Sequence, residues 1–319
     1  MKRELLLVRH GKVDRNTGTV PTNWPLRESG ERAAQRVGTW LLERGLVPGR
    51  VVSSPAEQAL ATAERVSKAM GLGERQILQD HRILASDPVV LLEIARAFPT
   101  TLERGMIVGH NPGLELLLED LVGNAQGSPD VGLLPMGAVA WLAVDSEWQK
   151  LSPKRAHLIG ITRPSDLPRL FPFPGPGGNE LRKRPAYYYT QSSVIPYRVR
   201  QGKVEILVTF SRKNRYPVVP KGIKEPGLTH RESAAQEALE EAGIEGVVGT
   251  LIGRYHYRKW GGSCQVDVYS MKVVRELPES EWQEHERGRE WVTPERAIEI
   301  LHQPALGPMV EQLVMELTG

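Results

Sequence analysis

The chain has 319 residues, of which 40% are hydrophobic and 25% are charged, and its formal net charge is +3 at pH 7. These proportions are ordinary for a soluble globular protein, and the length favours two domains over one. No apolar run approaches the roughly 20 residues of a membrane-spanning helix, and the first residues lack the pattern of a signal peptide. The single cysteine, Cys264, excludes an intramolecular disulfide and a cysteine-based zinc site. We therefore expect a cytoplasmic protein with no membrane partner and no specific nucleic-acid partner.

The first half of the chain alternates strand and helix patterns. Buried-strand patterns are found at 5–8, 51–52, 106–108 and 139–144. Helical periodicity is found at 28–46, 56–70 and 114–122. Strands that alternate with helices predict an α/β fold, in which a mainly parallel sheet carries helices on both faces. Ligands bind such sheets where strands end and helices begin.

Histidine follows two of these strands. Arg9 and His10 come directly after the first strand, and His110 follows the third. Two histidines at carboxyl strand ends, one beside an arginine, indicate a phosphate-binding site. With the Ser-Pro-Ala run at 54–56, these motifs resemble the histidine phosphatase superfamily, in particular its SixA-like phosphohistidine phosphatase branch. The resemblance covers roughly residues 1–170.

This resemblance implies that His10 attacks phosphorus and carries the phosphoryl group, while Arg9 and His110 bind the phosphoryl oxygens. The implied substrate is a phosphorylated protein or a small phosphomonoester. Two positions depart from the family pattern, because Gln58 and Trp24 stand where phosphate-binding arginines are common. Glutamine cannot replace the fixed charge and bidentate grip of arginine. We therefore expect a weak or inactive phosphatase, with an active one as the alternative.

A proline-rich and glycine-rich stretch separates the two halves. Residues 151–189 carry seven basic and two acidic side chains. This surplus of positive charge is larger than the net charge of the whole chain, which is +3. Its centre, 171–178, contains three prolines and three glycines and predicts no regular element. We interpret 171–189 as a basic linker between a domain at 1–170 and a domain at 190–319.

The last segment predicts a sheet around one central helix. Strand patterns are found at 193–197, 205–210, 253–257, 265–269 and 291–292, and closing helices at 297–302 and 309–317. Thr229 and Glu232 have the spacing of a capping box and predict the start of the central helix, and Gly243 predicts its end. On a helical wheel, one side collects small and apolar residues: Ala235, Ala238, Leu239 and Ala242.

The other side of this helix carries three carboxylates. Glu237, Glu240 and Glu241 are spaced i, i+3 and i+4 with no basic residue among them, so they repel one another. A solvated acidic face is one interpretation. A bound cation explains the cluster better, because hard oxygen ligands suit Mg²⁺.

At these spacings, Gly222, the three glutamates and Gly243 resemble the Nudix box of the Nudix hydrolases. The resemblance implies an α/β/α sandwich and hydrolysis of a nucleoside diphosphate linked to another moiety, or of a similar pyrophosphate. It also implies Mg²⁺ or Mn²⁺ held by Glu237, Glu240 and Glu241, together with the Gly222 carbonyl. Two box positions depart, because Leu228 replaces a glutamate and Gln236 replaces the arginine that braces the metal-binding glutamates. We expect Gln236 to loosen that brace.

Residues near the box complete the prediction. The run 193–198 and the Glu286-Arg287 pair resemble the Nudix branch that handles diphosphoinositol polyphosphates and diadenosine polyphosphates. Glu286, or Glu284, is the candidate general base. Basic side chains fit a polyanionic nucleotide or polyphosphate substrate, and those we assign to substrate binding are Arg212, Arg215, Lys221 and Arg258.

Three functions remain open from the sequence. The first is a Nudix hydrolase whose phosphatase-like domain is weakened. The second is a bifunctional enzyme with both activities. The third is a non-catalytic regulator that binds nucleotide or polyphosphate, and Leu228 and Gln236 are its only support.

Overall fold

The computed structural model describes residues 3–123, 134–175 and 178–318. The chain divides into two compact units, Met1–Pro185 and Ala186–Gly319. Each unit has a sheet with helices packed on both of its faces, so the predicted α/β class is confirmed for both. Within the described residues, no helix is both long enough and apolar enough to cross a membrane.

The first unit is built on a sheet to which six described strands contribute. The strands are β1 Arg3–Arg9, β2 Arg50–Ser53, β3 Ile77–Gln79, β4 Arg104–Gly109, β5 Val139–Val144 and β6 Ala156–Thr162. Their order is β3-β2-β4-β1-β5-β6. The first four in this order are parallel, and β5 and β6 are antiparallel, which matches a mainly parallel sheet.

Four helices cover this sheet. They are α1 Glu28–Glu43, α2 Glu57–Ala69, α3 Pro88–Arg96 and α4 Gly113–Val122. Successive side chains of β1 point to opposite faces, as they must in a strand. Leu5 and Leu7 join the cluster formed with α3 and α4, while Leu6 and Val8 join the cluster formed with α1 and α2. All four side chains are fully buried, so β1 is the centre of both cores.

The hairpin that ends the first unit corrects one expectation. The stretch 171–178 was expected to lack regular structure, yet β7 Phe171–Gly175 pairs with β8 Gly178–Arg182. Pro176 and Gly177 lie outside the described residues. Phe171 is 1% exposed, and Arg32 of α1 donates a hydrogen bond to the Lys183 carbonyl at 2.9 Å. A two-stranded ribbon tolerates proline because its edges need no further partner, so this stretch belongs to the first unit and is not a free linker.

The second unit contains a mixed sheet. Its described strands are β9 Thr190–Arg200, β10 Lys203–Phe210, β11 Pro217–Val218, β12 Lys221–Ile223, β13 Ile244–Lys259, β14 Gly262–Glu276 and β15 Arg289–Val292. The main path runs β11-β10-β9-β14-β13, with β12 pairing to β9 and β15 pairing to β10. β9 and β14 are parallel, and the other pairs are antiparallel.

Helices pack on the two faces of this second sheet. They are α5 His230–Ala242, α6 Pro294–Ile300 and α7 Gly307–Thr318. Val194 of β9 packs with α5, whereas the next residue, Ile195, packs with α6 and α7. The result is the α/β/α sandwich that the sequence predicts.

Candidate active sites

The helix α5 begins and ends where the sequence predicts. The Thr229 hydroxyl accepts a hydrogen bond from the Glu232 amide at 3.2 Å, and the Glu232 carboxylate accepts one from the Thr229 amide at 2.7 Å. Gly243 adopts a left-handed conformation, with φ of +59°, and ends the helix. Reciprocal capping and a glycine stop therefore fix the register of every side chain between them.

The buried stripe of α5 differs from the predicted one. Ala234, Ala238 and Ala242 are fully buried, whereas Leu239 is 37% exposed. The expectation that Leu239 shares the apolar face is wrong, because the sheet contacts a single row of residues spaced i, i+4. Small side chains in that row let α5 pack closely on the sheet, which brings the carboxylate face next to β12.

Glu237 lies directly against the backbone of Gly222. A Cβ atom added to Gly222 would stand 1.7 Å from Oε1 of Glu237, so only glycine leaves room for this carboxylate. Burial, followed by repulsion from Glu241 and Glu240, raises the pKa of Glu237 to about 8. A carboxylate crowded by like charges in a partly dehydrated site is one that a cation would stabilise.

Glu241 is held by two donors. Its Oε2 accepts a hydrogen bond from the Lys221 amide at 3.0 Å, and its Oε1 accepts one from the Arg287 guanidinium at 2.6 Å. Burial raises the pKa of Glu241, while the Lys221 amide and Arg287 oppose that rise. Glu240 accepts a hydrogen bond from the Gln236 amide at 2.8 Å, so Gln236 contacts a glutamate of the box although it carries no charge.

Arg287 supplies the positive charge that Gln236 lacks. Its guanidinium contacts the carboxylates of Glu241 and Glu284 together, and all three side chains are at least 87% buried. No spacing motif connects Arg287 with Glu241, because 46 residues separate them, so the sequence alone does not predict this contact.

The donor set fits a divalent cation by its chemistry and by the Gly222 cradle. In the described part of the chain, no three His, Cys, Asp or Glu side chains already converge as a metal site. An ion at this face would therefore share or compete for carboxylate oxygens that Gln236, the Lys221 amide and Arg287 already contact.

The structure places the two candidate general bases differently. Glu284 is 13% exposed and is ion-paired with Arg212 and Arg287, so its carboxylate oxygens are already engaged by two arginines. Glu286 is 61% exposed, and its carboxylate lies 4.0 Å from Nδ1 of His285. Among the described residues, no hydrogen bond or ion pair connects Glu286 to the box glutamates, and its role stays a prediction.

Lys221 connects the carboxylate face to a cavity. Its ammonium donates hydrogen bonds to Gln191 at 2.9 Å and Tyr257 at 3.3 Å, and burial lowers the pKa of Lys221. The cavity has a volume of about 240 Å³ and is lined mainly by apolar and aromatic side chains, including Tyr255 and Tyr257. One wall of the cavity therefore carries a cation whose own backbone amide contacts Glu241.

The other predicted basic residues are more exposed. Arg215 donates a hydrogen bond to the Glu286 carbonyl at 2.8 Å, and Arg258 is exposed on β13 opposite Ser263. Arg254 forms a two-point ion pair with Asp267, at 2.6 and 2.9 Å, and its position is explained by that pair. Of the basic set, Lys221 alone among the described residues is hydrogen-bonded to a box glutamate, through its backbone amide, and it is half-buried.

The first unit brings its two predicted histidines together. The ring centres of His10 and His110 are 5.2 Å apart. Nδ1 of His10 lies 2.9 Å from the Gly11 carbonyl, which orients the ring and leaves Nε2 available. Nε2 of His110 lies 2.9 Å from the Ser54 hydroxyl. Burial lowers the pKa of His10, and burial and then His10 lower the pKa of His110 to about 4, so both rings are neutral at pH 7.

Two arginines of the described residues, Arg9 and Arg15, act on His10 through their charge. Arg9 donates to the Leu134 carbonyl at 2.9 Å. Gln58 is buried and donates to the Pro21 carbonyl at 3.1 Å, so it contacts the loop that leads to Trp24. Arg15 stands 5.3 Å over the Trp24 ring, and its charge contributes to the lowered pKa of His10. Sequence analysis missed Arg15, although it lies only five residues after His10.

Comparison with known proteins agrees with this geometry. The family model of the NUDIX domain matches residues 190–313, and that of the histidine phosphatase superfamily (branch 1) matches residues 5–83. Nudix hydrolase 16, mitochondrial, from Arabidopsis thaliana is 36% identical over 113 residues, which cover 32% of this chain and 62% of the relative. Diphosphoinositol polyphosphate phosphohydrolase 2 from Rattus norvegicus is 30% identical over 128 residues, which cover 39% of this chain and 69% of the relative.

A solved structure of the protein histidine phosphatase SixA with tungstate covers 51% of this chain and 98% of its own, with 17% identity and a TM-score of 0.44. The match covers less than two thirds of the length of the Arabidopsis relative and slightly more than two thirds of the length of the rat relative. Residues 5–83 of the first unit match the model of the histidine phosphatase superfamily, and through its second unit the chain belongs to the Nudix hydrolase family.

Proposed function

We propose that the second unit is a metal-dependent Nudix hydrolase that cleaves a pyrophosphate bond. The substrate would be a nucleoside diphosphate derivative, or a dinucleoside or inositol polyphosphate. The observation that carries this proposal is the carboxylate face of α5, where Glu237 fills the space beside Gly222 and is crowded by Glu240 and Glu241. The name of the rat relative describes an enzyme that acts on diphosphoinositol polyphosphate, which supports a polyphosphate substrate.

The proposed cofactor is Mg²⁺, or Mn²⁺ in its place, held by Glu237, Glu240, Glu241 and the Gly222 carbonyl. When bound, such an ion neutralises pyrophosphate charge and lowers the pKa of an attacking water. Arg287 and the Lys221 amide hold Glu241 in position and favour its ionised form against the effect of burial.

The basic residues would attract and orient the polyanion. Lys221 would bind a phosphate at the mouth of its cavity, and Arg212, Arg215 and Arg258 would contribute longer-range attraction. Glu286 stays the proposed general base, because an exposed carboxylate in a loop near Arg287 can approach a bound substrate.

The test is the turnover of two variants with a matched control. Glu240→Gln and Glu241→Gln keep the size of the side chain but remove its charge, and each should lower turnover at least about a hundredfold. Product release would be measured with and without Mg²⁺ on nucleotide sugars, dinucleoside polyphosphates and inositol pyrophosphates. Glu311→Gln, an exposed carboxylate on α7, is the control and should behave as wild type. Unchanged turnover in both box variants would contradict the proposal.

A second candidate function is phosphatase activity in the first unit. It is favoured by Nε2 of His10, which has no hydrogen-bond partner among the described residues, beside the ring of His110. We propose that this activity is weak, because Gln58 offers no fixed charge to a transferring phosphoryl group. Phosphate release from a phosphomonoester should be low in wild type, absent in His10→Ala and higher in Gln58→Arg. Robust wild-type activity that His10→Ala abolishes would instead indicate a bifunctional enzyme.

A further inference from the structure

A second basic cavity lies in the first unit, beside the histidine site but lined by different residues. Its volume is about 520 Å³. Four cationic side chains and two hydroxyl groups contribute to its wall: Lys12, Arg36, Arg163, Arg169, Ser29 and Ser165. The remaining lining residues are small or apolar, and none of the lining residues is acidic or aromatic. The cavity is therefore a concentrated positive site with hydrogen-bond donors.

The cations come from three separate parts of the chain. Lys12 follows the His10 motif, Arg36 lies on α1, and Arg163 and Arg169 follow β6. The start of α1 and the end of β6 meet near Gly137, where a Cβ atom would stand 3.1 Å from Pro164 and 3.7 Å from Ala33. The fold itself thus assembles the cluster, which no single sequence motif predicts.

Three of the four cations have no carboxylate partner in the described part of the chain. Among the described residues, Lys12, Arg36 and Arg169 form no ion pair, whereas Arg104, Arg254 and Arg287 each contact a carboxylate. Nε of Arg36 is buried without a hydrogen-bond partner among the described residues. Burial, followed by repulsion from Arg32 and Arg169, lowers the pKa of Arg36.

The one carboxylate in the turn after β6 is otherwise engaged. Asp166 accepts a hydrogen bond from the Arg163 amide and another from the Ser165 hydroxyl, both at 3.1 Å. These bonds belong to the turn itself, and among the described residues Asp166 forms no ion pair with Arg36 or Lys12. Holding like charges together in a concave site is unfavourable unless an anion occupies it.

We propose that this cavity binds a chain of linked phosphate groups, such as the oligophosphate part of a polyphosphorylated small molecule. Such a chain concentrates several negative charges and many acceptor oxygens in a small volume, and guanidinium groups bind phosphate oxygens bidentately. A single orthophosphate would meet only part of the cluster. The absence of aromatic side chains from the wall argues against stacking of a nucleic-acid base. The lining residues include neither histidine and no residue of α5, and the test of this site depends on neither activity.

The experiment is calorimetric titration of the full chain with sodium tripolyphosphate and with sodium orthophosphate. EDTA would be present, so that divalent ions cannot bridge the anion to the carboxylates of α5. Tripolyphosphate should bind at least roughly tenfold more tightly than orthophosphate, and Arg36→Gln and Arg169→Gln should each weaken it roughly tenfold. Lys12→Gln, at an exposed loop position, tests the same cluster without altering a helix. Arg44→Gln, at the far end of α1, makes the same charge change outside the cavity and should bind as wild type.

His10→Ala separates this cavity from the neighbouring histidine site and should retain tripolyphosphate binding. Loss of binding in His10→Ala would place the anion on the histidines and overturn the proposal. Absence of binding to wild type, equal affinity for orthophosphate, or unchanged affinity in the three cavity variants would overturn it as well.

Discussion

Replacing Arg287 tests whether an arginine outside the Nudix box holds the box together. Its guanidinium is 11% exposed and contacts Glu241 and Glu284, each of which is 13% exposed. In Arg287→Met, both carboxylates stay buried without their shared partner. Glu241 would then be protonated more readily, because Arg287 is one of the groups that oppose the rise of its pKa. We expect the variant to bind metal more weakly. As the pH is lowered, it should lose activity at a higher pH than the wild type does.

The size of the effect on stability follows from burial. Removing one partner of a buried ion pair costs about 3–5 kcal/mol, because a buried charge is left uncompensated. A domain is stable by about 5–15 kcal/mol, so the variant should fold but with a much reduced margin. Arg287→Lys keeps the charge but cannot grip two carboxylates with one planar group, and its loss should be intermediate.

Arg275 provides a matched control. It also contacts two carboxylates, Glu245 and Glu281, both at 3.3 Å, but its side chain is 55% exposed. Exposed pairs contribute about 0–1 kcal/mol, so Arg275→Met should change little. Urea unfolding and the dependence of turnover on Mg²⁺ concentration and pH would be measured for both variants. If Arg287→Met is as stable as Arg275→Met and keeps the wild-type metal requirement, the inferred brace is wrong.

Two further predictions concern the units themselves. A fragment of residues 186–319 should fold alone. A fragment of residues 190–319 should be about 3–5 kcal/mol less stable, because it loses Tyr189, which is 2% exposed and donates a hydrogen bond to the Trp260 carbonyl. Equal urea midpoints for the two fragments would contradict this prediction. In the first unit, nuclear magnetic resonance should show the His110 ring titrating near pH 4. Because the pKa of His110 is lower in the folded state than the unfolded value of about 6.5, the stability contributed by its neutral ring is fully present above pH 6.5. That contribution is lost as the pH falls towards 4. His81→Gln, at an exposed position, is the control, and a His110 midpoint near 6.5 would refute the burial argument.

Local signals in the sequence determined the best-predicted element. The bounds of α5 follow from a capping box and a glycine, both of which act within a few residues. The predicted strands at 253–257 and 265–269 are parts of a much longer hairpin, in which β13 has 16 residues and β14 has 15. Glycines in these segments suggest that the strands are interrupted. In the structure, both strands continue, and the pairing has local shifts of register, for example between Glu245 and Gly246.

Short elements and long-range contacts were missed for different reasons. β3 has three residues, too few for a periodic pattern. α3 could have been found, because Asp87 caps it by accepting from the Val89 amide at 2.8 Å and Pro88 occupies its first turn. The role of Arg287 at the box could not have been found, because its contact with Glu241 depends on how the sheet and the loop before β15 fold together.

The two sites share one departure and differ in how it is offset. Each lacks an arginine of the family it resembles, at Gln236 in the second unit and at Gln58 in the first. In each, an arginine outside the expected motif lies nearby, Arg287 and Arg15 respectively. Charge interactions are stronger where water is excluded. The side chain of Arg287 is 89% buried, whereas Arg15 is exposed and contacts only the face of Trp24 among the described residues. The replacement is therefore stronger at the carboxylate face of α5, which is why we expect hydrolysis there to be the main activity of the chain.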